Sequence, residues 1–220
     1  MNDQQEYIRQ LEQTISKFLE PIEKIPFPIV IKALTGFDVL LFDPSLKENK
    51  RLLEQLSRAA YLAGRKASQE GIFTTRPNEA GNHIEPFVIE TLNQIGLKAG
   101  RPISKSGKKR SAGYPDIQIE DKDGRTIYLD CKTYNLETKA QSFRTFYLSP
   151  SEDPKIVKDA FHLIMSFELD IAEKQGKRVF LPVSWQIYTL DKLLVQIKHE
   201  FNASNKELYV KEALLAEGRI

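Results

Sequence analysis

Asp130-Cys131-Lys132, with Pro115-Asp116 before it, holds the residues of this chain best suited to chemistry. Side chains two positions apart on a β-strand leave from one face, so Asp130 and Lys132 project together if this segment is extended. Two carboxylates offer hard oxygen ligands to Mg²⁺, and an ammonium beside them can hold or help deprotonate a water molecule. Such a set suits hydrolysis of a phosphodiester, and on it the chain reads as a nuclease.

Alone, the pattern has a plainer meaning. Pro-Asp often starts a turn, and Asp-x-Lys on a strand is often a solvated pair of little energetic weight. A hairpin that can be counted changes the balance. Asp121-Lys122-Asp123-Gly124-Arg125 predicts a three-residue turn, Lys122 to Gly124, with glycine where a left-handed backbone is needed. Such a turn opposes Asp121 with Arg125, and stepping back along both strands brings Asp116 opposite Asp130. Cross-strand Cβ atoms stand roughly 5 Å apart, close enough for both carboxylates to share an ion. A two-residue Asp123-Gly124 loop would instead place Asp116 opposite Cys131. Ile127, Leu129 and Cys131 alternate with Tyr128, Asp130 and Lys132, the pattern of a strand with one side in a core. Cys131 then reads as a small buried apolar residue. The two acids repel, so without a metal one of them should hold its proton to higher pH.

The 220 residues are 41% hydrophobic, enough for a single domain over 1–220 with a real core. Within it, 1–70 reads as a helical region, 80–188 as a catalytic core and 189–220 as C-terminal helices. No apolar run reaches the roughly 20 residues of a membrane span, and the polar start lacks the pattern of a secretion signal, so a cytoplasmic protein without a membrane partner is expected. One cysteine excludes an internal disulfide and a cysteine zinc cluster. His83, His162 and His199 lack metal-ligand spacing and read as surface or packing residues. Net charge is only +2, but the stretch from Lys98 to Arg110 carries six Lys and Arg residues and no acid. Lys105, Lys108, Lys109 and Arg110 could thus neutralise a polyanion's backbone beside the acids, although such a cluster is more usually a solvated loop.

Helical periodicity predicts helices over 4–20, 45–69, 81–95 and 154–175, with strands near 97–103, 114–120, 126–133 and 178–188. Pro21 ends the first helix, and Pro26 and Pro28 oppose its resumption. The first two helices either form a dimerisation layer or simply cover the core. The 154–175 helix, with Ile156, Val157, Ala160, Phe161, Ile164, Phe167 and Ile171 as its stripe, would make a right-handed parallel crossover to the last strand. The tail, with Leu193, Leu194, Ile197 and Phe201 and then Tyr209, Val210, Leu214 and Leu215, reads as one or two further helices.

In this order of elements, with Pro115-Asp116, thirteen intervening residues and Asp130-Cys131-Lys132, the chain resembles the PD-(D/E)XK nuclease superfamily, and within it type II restriction endonucleases. The resemblance covers roughly residues 80 to 188. It implies an α/β (α+β) fold, a central mixed sheet flanked by helices with added terminal helices. It also implies Mg²⁺ on Asp116, Asp130 and the main-chain carbonyl of Cys131, with Lys132 positioning the attacking water and products ending in 5′-phosphate and 3′-hydroxyl. A helical glutamate belongs to the motif. Glu85 is preferred to Glu90, although Pro86 blurs the helical phase that separates them.

The connection from Thr133 to Lys155 is longer than the roughly 12 to 15 residues beyond which loops are more often functional. Tyr134, Asn135, Gln141, Ser142 and Arg144 are its candidates for touching bases or phosphates, since Asn and Gln can pair with adenine and Arg with guanine. A structural loop anchored by Phe143, Phe146 and Leu148 is the plainer alternative. Three functions follow for comparison: a homodimeric restriction enzyme on a short double-stranded palindrome, with a DNA methyltransferase acting on the same site; a structure-specific or repair nuclease; and a DNA-binding module without turnover.

Overall fold

A computed structural model describes residues 2–20, 22–74, 80–109, 113–135, 146–174, 176–199 and 202–216. Along the chain run α1 (Asn2–Phe18), β1 (Ile22–Pro26), α2 (Phe27–Thr35), α3 (Lys47–Glu70), α4 (Ala80–Gln94), β2 (Lys98–Gly100), β3 (Ile117–Glu120), β4 (Thr126–Tyr134), β5 (Phe161–Lys174), β6 (Lys177–Thr189), β7 (Leu194–Ile197) and a short α5 (Asn205–Leu208). They divide into two compact units, Met1–Ile25 with Leu194–Ile220, and Pro26–Leu193. The first holds α1 and the β1–β7 pair. There Phe18 meets His199 edge-on, while Tyr7, Ile8 and Leu11 on α1 remain exposed.

The second unit is an α+β layer structure around one five-stranded mixed sheet in the order β2-β3-β4-β5-β6. Its register starts at the turn after β3. Asp121 N–H donates to Arg125 O at 3.0 Å, and Gly124 sits at φ +76°, a left-handed conformation that costs glycine nothing. The Asp121 carboxylate, 5% exposed, accepts the N–H groups of Asp123 and Arg125, each at 2.9 Å, and Arg125 Nε at 2.7 Å. Arg125 reaches on to Asn49 Oδ1 at 2.8 Å, bracing the turn against α3. The three-residue turn thus forms as the sequence predicts, with Ile117 opposite Leu129 and Glu120 opposite Thr126.

One sheet face carries Ile117, Ile119, Ile127, Leu129, Cys131, Leu163, Met165 and Phe167, buried against α3 and α4. Burying each large aliphatic side chain contributes about 1.5–3 kcal/mol, so this face is the main source of stability. Leu52, Leu56, Ala59, Ala60 and Ala63 of α3 are inward as the pattern predicts, and α3 therefore covers the core. It approaches closely at Gly64, where a Cβ would stand 3.4 Å from the Phe167 ring. On the opposite face Tyr128 and His162 meet Phe27 of α2 and Tyr114 in an aromatic cluster.

The predicted helix over 154–175 is instead β5, and this correction changes the topology. Phe161, Leu163, Met165, Phe167 and Leu169 are all buried at a spacing of two, and β5 lies parallel to β4 and antiparallel to β6. A central strand buries much of both faces, so its second face, with Ile164, also supplied apolar residues at helical spacing. The parallel crossover therefore joins β4 to β5, and β6 returns as a hairpin partner. Pro182 fits because it lies at the register shift after Glu168, where the ladder is irregular. The predicted tail helices give way to β7, α5 and a 3₁₀ turn at Lys211–Ala213. Pro26 and Pro28, read as helix breakers, open α2 instead: proline is tolerated in a first turn, where its missing N–H has no partner to lose. Among the described residues no helix is long and apolar enough to cross a membrane.

Candidate active site

Asp116 lies one residue before β3, and its Oδ2 accepts the main-chain N–H of Cys131 at 2.8 Å. Its carboxylate therefore sits against the strand that carries Asp130. Asp130 is only 3% exposed, and Lys132 Nζ stands 2.5 Å from its Oδ2. Beyond that ion pair, Oδ2 has no hydrogen-bond partner among the described residues. Burial and then the charge of Asp116 push the Asp130 carboxyl up to about 7, with Lys132 pulling the other way. Repulsion between the acids thus emerges where the sequence placed it, and the residue that carries it is the more buried Asp130.

Glu85 on α4 joins this electrostatic group, whereas Glu90 does not. Burial, followed by the charge of Asp116, raises Glu85 to about 7, opposed by Arg101, Lys155 and Lys132. Glu90 faces outward and pairs with Lys66 at 2.6 Å. One turn before Glu85, a Cβ added to Gly81 would stand 3.9 Å from the Cys131 carbonyl oxygen, so this carbonyl lies under the first turn of α4. The Cys131 thiol is buried, and burial with the charges of Asp116, Glu85 and Asp130 raises its pKa well above the thiol range, which rules it out as a nucleophile.

The donor set determines what could bind here. Among the described residues no three His, Cys, Asp or Glu side chains converge to hold a metal ion. Asp116 and Asp130, with the Cys131 carbonyl next in the chain, offer only oxygen donors, and Asp130 Oδ2 has the Lys132 ammonium beside it. Such a set fits a hard divalent cation that keeps much of its water shell, and does not fit a soft one. His162 plays no part: it is buried, with Nδ1 2.7 Å from the Tyr114 hydroxyl, and burial lowers its pKa to about 3, so it is neutral.

The basic stretch and the acids are held by one segment that sequence reasoning passed over. Lys105, Lys108 and Lys109 are exposed on a loop closed by the Ile103–Lys109 bridge. Asp153 grips that loop through Ser104 Oγ, Ser106 N–H and Ser106 Oγ, each at 2.8 Å, and Pro154 O accepts Lys105 N–H at 2.9 Å. Lys155, 5% exposed, donates to Gly113 O at 2.5 Å and Pro115 O at 2.7 Å. Its sequence signal is faint: a lysine between Pro154 and the apolar Ile156-Val157. Tyr134 and Asn135 are half-buried, and the Tyr134 hydroxyl reaches Gln186 Oε1 at 3.3 Å across the sheet. Arg110, Gln141, Ser142 and Arg144 lie outside the described residues.

Residues 21–212 match the model of the type II restriction enzyme MjaV family. The chain is also 40% identical over 230 residues, covering 98% of each sequence, to the type II restriction enzyme MjaV of Methanocaldococcus jannaschii. Both matches extend past the site into the terminal segments on either side. By them the chain belongs to the MjaV family of type II restriction enzymes.

Proposed function

We propose that this protein is a Mg²⁺-dependent, site-specific double-stranded DNA endonuclease of PD-(D/E)XK type, cutting to 5′-phosphate and 3′-hydroxyl ends. The observation that carries the proposal is the approach of Asp116 and Lys132 to the buried Asp130, in a chain that belongs to a restriction enzyme family. Asp116, Asp130 and the Cys131 carbonyl would hold Mg²⁺, which supplies Lewis-acid neutralisation of charge building on the scissile phosphate. Lys132, beside Asp130, orients the attacking water along the line of the breaking bond. Glu85, whose carboxyl feels the charge of Asp116, would orient a metal-bound water or contribute to a second metal site, and the attacking water gives up its proton to solvent. The new bond joins water oxygen to phosphorus, the P–O3′ bond breaks, and the departing 3′-oxygen takes up a proton. Phosphoryl transfer of this kind needs positioning and charge balance more than covalent help from the protein.

The exposed Lys105, Lys108 and Lys109 support contact with the DNA backbone, to which Arg110, next in sequence, is proposed to add, and Tyr134, Asn135, Gln141, Ser142 and Arg144 are the proposed sequence-reading residues. The exposed apolar residues of α1 support a homodimer, whose two-fold axis would match a palindromic site. A methyltransferase protecting the same site in the cytoplasm completes the proposal. Incubating the protein with a mixed DNA library and Mg²⁺ tests it. Discrete fragments sharing one end sequence, absent with EDTA or in Asp130→Ala, are expected. Cutting confined to branched DNA, or none at all, would overturn the reading.

A further inference from the structure

We infer that Lys155 is a positioning residue for cleavage: its buried ammonium ties the Gly113 and Pro115 carbonyls together and so fixes where Asp116 stands beside Cys131. The inference rests on the proposed active site and extends it to a residue that touches neither DNA nor reacting atoms. Three observations converge on it. Lys155 is a lysine almost fully removed from water, which is unfavourable unless its donors are used. It donates to two carbonyls that flank Tyr114, and the second belongs to the residue directly before Asp116. Its charge also lies within electrostatic reach of Asp116, Glu85 and Asp130, so a cation is built into the wall of an acidic site.

A neutral residue of the same length would leave both carbonyls without their donor. The backbone carrying Asp116 could then relax, because Asp116 precedes β3 and lies outside the paired register, which begins at Ile117 opposite Leu129. Displacements on the order of 1 Å in a catalytic group cost about 100-fold in rate. Losing an outer partner of a metal ligand weakens metal affinity about 10- to 100-fold. Asp153 and Pro154, which hold the basic loop, adjoin Lys155 in sequence, so one short segment sets both the DNA-neutralising loop and the first acid.

The test uses the full-length protein and its Lys155→Met and Lys155→Gln variants, with wild type and Asp130→Ala beside them. Melting temperature, DNA affinity without divalent metal, Mn²⁺ binding followed by electron paramagnetic resonance, and single-turnover cleavage are measured on each. In Lys155→Met, cleavage about 100-fold slower and Mn²⁺ binding about tenfold weaker are expected, with DNA affinity within about threefold of wild type. Lys155→Gln, which keeps donors but not charge or reach, should fall between. Wild-type Mn²⁺ binding and rate in Lys155→Met would overturn the inference, as would equal losses of DNA affinity and rate, the mark of general unfolding. Should Lys155→Met fail to fold, Lys155→Gln decides by the same criteria. An active Asp130→Ala would instead indict the active site itself, which separates the two failures.

Discussion

The carboxylate of Asp116 is bonded to the backbone of the residue next to Asp130, through Cys131 N–H at 2.8 Å. A side chain here takes the place of a ladder bond just where β3 has not yet begun. The separation of the two acids is therefore set by main-chain geometry and by one side-chain contact, and little rotamer freedom remains to be lost when a ligand arrives.

Asp116→Asn follows from that contact. Its amide oxygen can still accept Cys131 N–H, so the fold should melt close to the wild-type temperature. The charge is gone, and cleavage should drop on the order of 10²–10³-fold. Circular dichroism melting and single-turnover assays decide the matter, and an active, folded Asp116→Asn would remove Asp116 from the site.

Asp130 should give metal-free stability a distinctive pH dependence. Its folded pKa is raised to about 7 from an ordinary 3.8, so between those values the folded state binds a proton that the unfolded state has released. Stability from this group is intact below the unfolded pKa and is lost as pH rises toward the folded one. His162 acts oppositely, since a buried neutral imidazole with pKa about 3 favours folding more as pH rises. Comparison with Asp130→Asn isolates the acid. In EDTA the variant should gain melting temperature over wild type progressively from pH 4 to 7 and then hold that gain. A difference that stays flat across this range would mean Asp130 is not strained. The same variant should not cut DNA, while binding it as well or better.

The turn and the acids were legible because hairpin arithmetic is local: residue types at Asp121 to Arg125 fix the loop length, and loop length fixes the register. β5 was not, because a central strand with apolar residues on both faces imitates a helical stripe, and only its neighbours β4 and β6 distinguish the two. Lys155 was hidden for a different reason. Its partners, Gly113 and Pro115, are main-chain carbonyls far away in sequence, and no residue type announces a carbonyl. Glu85 and Glu90 were separable in kind by helical phase, but only packing shows which of them feels Asp116.

The Asp153 grip on Ser104 and Ser106 predicts that DNA affinity depends on an acid that never touches DNA. Asp153→Ala frees the loop bearing Lys105, Lys108 and Lys109, so binding must then order that loop at its own expense. Affinity should weaken about tenfold, with a smaller effect on rate at saturating DNA. Lys108→Ala with Lys109→Ala should weaken binding too, and in addition flatten its salt dependence by about one unit of log–log slope per lost phosphate contact. Affinity measured across a salt series separates the two. An Asp153→Ala variant with unchanged affinity would show that the loop needs no tether.

Asp121→Ala tests the turn on which the site's geometry depends. The carboxylate is buried, accepts three donors from Asp123 and Arg125 and pairs with Arg125 at 2.7 Å. Its loss leaves that guanidinium, only 25% exposed, without its carboxylate partner. Breaking such a pair costs about 3–5 kcal/mol, less whatever water supplies to the exposed part of the guanidinium. A lower melting temperature is therefore expected. The consequence for cleavage depends on register. If the variant keeps the three-residue turn, the folded fraction should cut at the wild-type rate. If Asp123-Gly124 takes over as a two-residue loop, Asp116 moves opposite Cys131 and cutting is lost even in folded protein. Amide hydrogen exchange across β3 and β4 distinguishes a weakened ladder from a shifted one, and wild-type stability in Asp121→Ala would show that the carboxylate does not hold the turn.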